Sequence, residues 1–222
     1  MSTISSGFFV TFEGGEGAGK STQIRMLAAR LRGEGHTVLE TAEPGGTGIG
    51  RQIRRVFLDA RNENLSAAAE LLLVFAARAQ NVEESIRPAL AEGRVVLCDR
   101  FTDSTLVYQG AVRGLGAEAV LQVDRIACGG LRPHLTFYLD IDPETGLARA
   151  RLRNAQDSAN PETRLDDQDL DFHRRVREAY LELARAESGR IVTIDASAAP
   201  EAVAAAIWNR TAEGLASHRL HH

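Results

Sequence analysis

The residues best placed to do chemistry form one run, Phe12-Glu13-Gly14-Gly15-Glu16-Gly17-Ala18-Gly19-Lys20-Ser21-Thr22. Gly14 to Ser21 satisfies the G-x-x-x-x-G-K-[ST] spacing of a phosphate-binding loop. Its glycines let successive backbone N–H groups turn toward one anion at the positive end of the following helix. Lys20 is then expected to reach the β- and γ-phosphates of a nucleotide, with the Ser21 hydroxyl as a magnesium ligand. Composition sharpens this. The chain has 26 Lys and Arg residues, and Lys20 is the only lysine among them. A compact ammonium fits inside a phosphate cradle where a planar guanidinium does not.

A second group of residues has the chemistry to assist. Asp99 ends an apolar run, as an acid that holds magnesium through water would, although an aspartate there could also be a helix cap. Arg100, next to it, could bridge two phosphates and neutralise charge during transfer. Arg149 and Arg153 share a helix face, with Arg151 off it, and they precede a polar stretch, Asn154 to Pro161, without apolar period. That pattern describes a mobile lid carrying arginines, a device that contributes on the order of 10³–10⁵ in rate to phosphoryl transfer. Phe75 and Arg78 lie three apart on one helix, an aromatic plane beside a forked donor, although core packing is the ordinary use of a phenylalanine there. The Gln109 amide could read the edge of a base.

The elements that must position these groups follow from periodicity. Phe8–Phe12, Thr37–Glu40, Arg94–Cys98, Leu135–Asp140 and Ile191–Ile194 read as five short strands separated by helical patterns. Alternation of that kind predicts an α/β fold, a five-stranded parallel sheet with helices on both faces in three layers. Ser66 caps a long helix that Pro88 should kink and Gly93 should end; another helix starts at Thr102; Asp142 and Pro143 start one more. The loops at Gly14–Ser21, Glu43–Gly48, Asp99-Arg100, Asp140–Asp142 and Asp195–Ser197 all fall at the carboxyl edge, where such sheets bind ligands. Residues 1–222 are expected to form a single domain, with a lid at about 149–166 and substrate-binding helices at about 43–92.

Composition excludes several classes. A net charge of −4 gives no general affinity for nucleic acid or membranes. Two cysteines are too few for a disulfide framework, and no apolar run spans a bilayer, so a cytoplasmic protein is expected. A guanine-specific switch would carry N-K-x-D, which a chain with Lys20 as its sole lysine lacks. A nucleotide-dependent binding protein and a kinase for another small molecule remain the alternatives.

In motif order as well as content the chain resembles bacterial thymidylate kinases, in the subclass with lid arginines. Besides the phosphate loop, Glu43-Pro44-Gly45-Gly46-Thr47 resembles the family's E-P-G-G-T loop, and Asp99-Arg100-Phe101, Ser104 and Tyr108-Gln109-Gly110 resemble its D-R-[YFH]…S…Y-Q-G signature. Arg164-Leu165-Asp166 resembles R-F-E after the lid. The resemblance implies transfer of the ATP γ-phosphate to dTMP, with Mg2+, in a P-loop kinase fold that forms homodimers. It implies that Gly14 through Thr22, Arg149, Asp195, Ala196 and Ser197 face ATP, and that Lys20, Asp99, Arg100 and Arg153 carry the chemistry, Arg153 because the loop has no arginine of its own. It implies that Glu16 accepts from the 3′-hydroxyl of dTMP, that Arg54 and Arg100 clamp its phosphate, that Arg78 and Gln109 bind thymine, and that Tyr108 crowds the 2′ position. Glu43, Pro44 and Thr105 complete the dTMP side. The stacking aromatic usually lies four residues before the thymine-binding arginine. That position is Val74, with Phe75 one place later, so both stay candidates. Ala42 replaces the arginine that often precedes E-P-G-G, and Leu165 replaces the phenylalanine of R-F-E.

Overall fold

The computed structural model describes residues 7–155 and 162–221, with side chains from 153 to 155 and at 221 left aside. Five parallel strands, β1 (Phe8–Glu13), β2 (Val38–Ala42), β3 (Val95–Asp99), β4 (Leu135–Asp140) and β5 (Ile191–Asp195), are ordered β2-β3-β1-β4-β5. Between them run α1 (Lys20–Gly33), α2 (Gly48–Leu58), α3 (Ala67–Asn81), α4 (Arg87–Ala91), α5 (Thr102–Thr105), α6 (Ala117–Cys128), α7 (Pro143–Ala155) and α8 (Leu170–Ala186), and α9 (Pro200–His221) follows β5. The expected α/β/α layering with a five-stranded parallel sheet is present.

Period two divides each buried strand between two cores. Phe8, Val10 and Phe12 of β1 pack with Leu27 and Leu31 of α1 and Ile207 of α9. Phe9, between them in sequence, faces the other way, with Val96, Cys98, Leu71 of α3 and Val120 of α6. The runs look continuously apolar because helices cover both faces. β1 pairs with β3 on one side and β4 on the other, and Phe12 is level with both Asp99 and Phe137. The strand order therefore switches at β1, and the loops after β1 and β3 open into the same crevice.

Helix geometry departs from the expected pattern at two places. The long helix is regular only to Asn81; Val82–Ile86 form a π-helical turn before α4. Pro88 supplies no N–H and its ring would collide with the carbonyl four residues back, so the wider turn ahead of it removes the conflict. The helix begun at Thr102 likewise stays α-helical for only four residues, and Leu106–Val112 are π-helical. That widened turn carries Tyr108 and Gln109. The caps at Thr47 and Ser66 accept hydrogen bonds from Gly50 N (2.9 Å) and Ala69 N (3.2 Å). β2 begins at Val38 and runs on to Ala42.

Candidate active site

A cavity of about 500 Å3 opens at the carboxyl edge, between the loop after β1 and helices α2 and α3. At one end lies the phosphate loop. Lys20 is buried, and its Nζ donates to the carbonyls of Gly14 (3.1 Å) and Gly15 (3.0 Å). Burial and the nearby Arg100 lower its pKa, with Glu16, Asp99 and Glu13 pulling the other way. Ser21 Oγ donates to Asp99 Oδ2 at 3.1 Å, so a hydroxyl and a carboxylate oxygen meet at the helix start. Gly17 has φ +68, and a Cβ there would lie 2.0 Å from the carbonyl oxygen of Gly146; one built on Gly146 would lie 2.5 Å from the carbonyl oxygen of Glu16. The loop thus rests directly on the first turn of α7. Asp142 caps that turn, accepting from Thr145 N (3.1 Å), as the Asp-Pro start anticipates.

In the middle stands Arg100, with φ of 68, a left-handed conformation that costs a non-glycine residue about 1 kcal/mol or more. Its N–H donates to Phe12 O at 2.9 Å, which locks the turn at the end of β3. Its Nη2 donates to Glu16 Oε1 (2.7 Å), and its Nη1 donates to Ser104 Oγ and Tyr180 Oη (both 3.2 Å). Beneath it, buried Glu13 accepts from Phe101 N (2.8 Å), Tyr180 Oη (2.9 Å) and the Ser104 hydroxyl. Burial and the charge of Asp103 push its carboxyl above the ordinary range, against the pull of Arg100.

The far end combines apolar wall with buried polar groups. Val74, Phe57, Leu58 and Leu165 supply apolar wall. Arg78 is 1% exposed; its Nη2 donates to Phe101 O and Thr105 Oγ1 (both 3.0 Å), and its Nε is buried without a protein partner. Tyr108 Oη donates to Glu16 Oε1 at 3.4 Å, and burial raises its pKa above the usual phenolic range. Glu43 accepts from Asn81 Nδ2, while its Oε2 is buried without a partner. Burial pushes this carboxyl up to about 7. Arg54 donates to Pro44 O (3.1 Å) and to Glu162 Oε2 (2.8 Å).

The structure therefore brings Glu16 through Thr22, Glu43, Pro44, Arg54, Arg78, Asp99, Arg100, Thr105, Tyr108, Gln109 and Arg149 to one cavity. Phe75 is the correction. It is 2% exposed in the core with Phe9 and Phe101, and Val74 is the residue that faces the cavity. A turn of helix cannot aim two consecutive residues the same way, and the sheet-side core claims the larger ring. Arg78 lies over the Phe75 ring at 4.7 Å, so Phe75 supports the arginine from behind. Gly14 is drawn against Leu139 O beneath the cavity. Asp195 and Ser197 bond to one another (2.6 Å) outside the cavity, and their loop is tied to it by Arg149 Nη1 donating to Ala196 O at 3.2 Å. The Arg153 side chain and residues 156–161 of the expected lid lie outside the described residues.

Glu13 and Arg164 fall within quoted motifs but receive no individual role from the sequence, and Glu70, Glu162 and Tyr180 are not singled out by it as functional candidates. Two of them left a signal. Glu13 is an acid ending a wholly buried strand, and Glu70 is the one charged residue from Ala67 to Ala77.

A family model described as thymidylate kinase matches residues 12–207. The thymidylate kinase of Syntrophotalea carbinolica is 50% identical over 208 residues, 94% of this chain and 96% of its own length. That of Deinococcus radiodurans is 48% identical over 210 residues, 95% and 98% of the two chains. A crystal structure of thymidylate kinase from Ehrlichia chaffeensis superposes with a TM-score of 0.75 at 27% identity, covering 93% of this chain and 99% of that one. On the match to the family model over residues 12–207 and on relatives about half identical over nearly the whole length, the chain belongs to the thymidylate kinase family.

Proposed function

We propose that this chain transfers the γ-phosphoryl group of ATP to dTMP, giving ADP and dTDP, by direct in-line displacement. The observation that carries the reading is a single cavity lined at one end by Lys20, Ser21 and Asp99 and at the other by Arg78 and Gln109, with Arg100 between. Two anionic nucleotides would meet there head to head, and positioning and electrostatics would supply the catalysis. Lys20 would hold the transferring phosphate, and Arg100 and Arg54 the acceptor phosphate. Glu16 would take the sugar hydroxyl, releasing part of its bond to Arg100 as the acceptor enters. Val74 would lie against the base and Tyr108 would crowd the 2′ position. Arg149 and the loop at Ala196 border the adenine side in this reading, and Arg153 of the lid supplies the last positive charge.

The Ser21 and Asp99 oxygens fit Mg2+ held mainly by nucleotide phosphates and water, which needs no all-protein cage. Among the described residues no group of three or more His, Cys, Asp or Glu surrounds a metal position. Ser21 and Asp99 would hold the ion, which when bound would supply positive charge against the negative charge developing on the transferring phosphate. A homodimer in the cytoplasm completes the proposal; among the described residues no helix is long and apolar enough to cross a membrane.

Coupled ADP-release assays with dTMP, UMP, dCMP and AMP test the reading. dTMP should be the preferred acceptor, and turnover should depend on it. Equal use of the other monophosphates, or ATP hydrolysis indifferent to an acceptor, would overturn it.

A further inference from the structure

Glu70 is fully buried in α3, and all of its partners lie elsewhere in the chain. Arg164 Nη1 donates to Oε1 at 2.7 Å, Arg113 Nη2 donates to the same oxygen at 3.1 Å, and Oε2 accepts from Gln109 Nε2 at 3.0 Å and, at 3.4 Å, from Arg113 Nε. Arg164 is itself held by Phe57 O, which accepts from its Nε at 2.7 Å. A carboxylate paired with two arginines can only accept hydrogen bonds. The Gln109 amide must therefore turn its nitrogen to Glu70, because its oxygen there would face another oxygen. Gln109 Oε1 is then the atom left for a ligand in the cavity, which the donor-only guanidinium of Arg78 also lines.

We propose that Glu70 is a positioning residue that sets base specificity, by fixing the Gln109 amide with its acceptor toward the base. This rests on the base site proposed above. A donor next to an acceptor matches a pyrimidine with a carbonyl beside a ring N–H, as thymine has. Cytosine presents an amino group and a bare ring nitrogen, so it meets a donor with a donor and an acceptor with an acceptor. Arg113 and Arg164 neutralise the buried carboxylate and hold it in place, and neither needs to touch the substrate.

The neighbours also dictate what Glu70→Gln does. The two shorter arginine bonds, from Arg164 Nη1 at 2.7 Å and Arg113 Nη2 at 3.1 Å, require an acceptor at the Oε1 position and outweigh the longer Arg113 Nε bond to Oε2 at 3.4 Å, so the new amide nitrogen falls at the Oε2 position. It then donates to Gln109, and the Gln109 amide turns over. The preference for dTMP over dCMP, as a ratio of kcat/KM, should fall roughly ten- to a hundredfold, since one reversed buried hydrogen bond is worth about one to two decades. The activity with dTMP should fall while that with dCMP holds or rises. General loosening of the fold would lower both together. The double variant Glu70→Gln/Arg113→Gln removes one charge of each sign and keeps the Arg164 acceptor, so it serves if the single variant does not fold. A ratio within about twofold of wild type in a folded variant, or equal losses on both substrates, would overturn the role of Glu70 while leaving the base site standing. A wild-type enzyme indifferent to dTMP and dCMP would overturn the base site itself, and the role of Glu70 with it.

Discussion

The contact between the phosphate loop and α7 gives a sharp prediction through Gly146→Ala. Its Cβ would lie 2.5 Å from the carbonyl oxygen of Glu16, where packed Cβ atoms essentially never come within 3.0 Å. One of the two backbones must therefore yield by at least about 0.5 Å, and neither is a flexible side chain. On the α7 side, Gly146 N donates to Asp142 O at 2.9 Å, which resists retreat. On the other side Glu16 is held by Arg100, so the displacement passes into the loop. Alanine also favours the helix by about 0.5–1 kcal/mol over glycine, which offsets part of the strain in overall stability. Misplacing reacting groups by about 1 Å can cost about a hundredfold, so a shift of half that size should lower kcat/KM about tenfold. The melting temperature should change by only a few degrees. Coupled ADP-release kinetics and thermal melts on the same preparation measure both. Wild-type kinetics in a folded variant would refute the argument that α7 sets the position of the loop, and a large stability loss without a kinetic change would assign the contact to folding alone.

Further predictions follow from other parts of the site. Lys20→Ala should abolish transfer while the protein stays folded by circular dichroism, and near-normal turnover would remove Lys20 from the chemistry. Phe75→Ala should cost about 3–5 kcal/mol of stability in denaturant melts with little change in dTMP KM, whereas Val74→Ala should mainly raise KM; the opposite pattern would return base stacking to Phe75. Glu43, with its carboxyl raised to about 7, contributes stability in full below pH 4.5 and loses it as pH rises through 7. Glu43→Gln should therefore be stabilised relative to wild type by up to about 3 kcal/mol above pH 8 and by little at pH 4.5, and a pH-independent difference would contradict the assignment. Arg153→Ala should lower kcat by about 10³ with dTMP KM nearly unchanged; a purely affinity defect would shift the role to Arg149 or Arg151.

What could be read from the sequence divides along physical lines. The strands, the loops at their carboxyl ends and the Gly14–Ser21 loop depend on local pattern, and the cavity is built where those loops converge. Helix facing was harder. Val74 and Phe75 are both apolar on an apolar helix, and only packing against Phe9 and Phe101 decides which one turns to the core. The π-helical turns at Val82–Ile86 and Leu106–Val112 depend on Pro88 and on tertiary crowding, so a 3.6-residue period does not anticipate them. Glu70 shows the remaining difficulty. Its partners Gln109, Arg113 and Arg164 lie 39 to 94 positions away in the chain, and a lone acid in a leucine-rich helix signals burial without naming who satisfies it.

The solitary lysine has a use outside catalysis. With every other basic side chain but histidine an arginine, the protein presents one side-chain amine to acylating reagents, and that amine is 8% exposed against the carbonyls of Gly14 and Gly15. Burial is the main cause of its lowered pKa, so an opening that exposes the amine also returns it toward ordinary lysine behaviour, and labelling is limited by how often the loop opens. The rate of side-chain labelling by an amine-selective ester would then report how often the loop opens, and nucleotide occupancy would appear as protection. No other side-chain amine would compete with that signal.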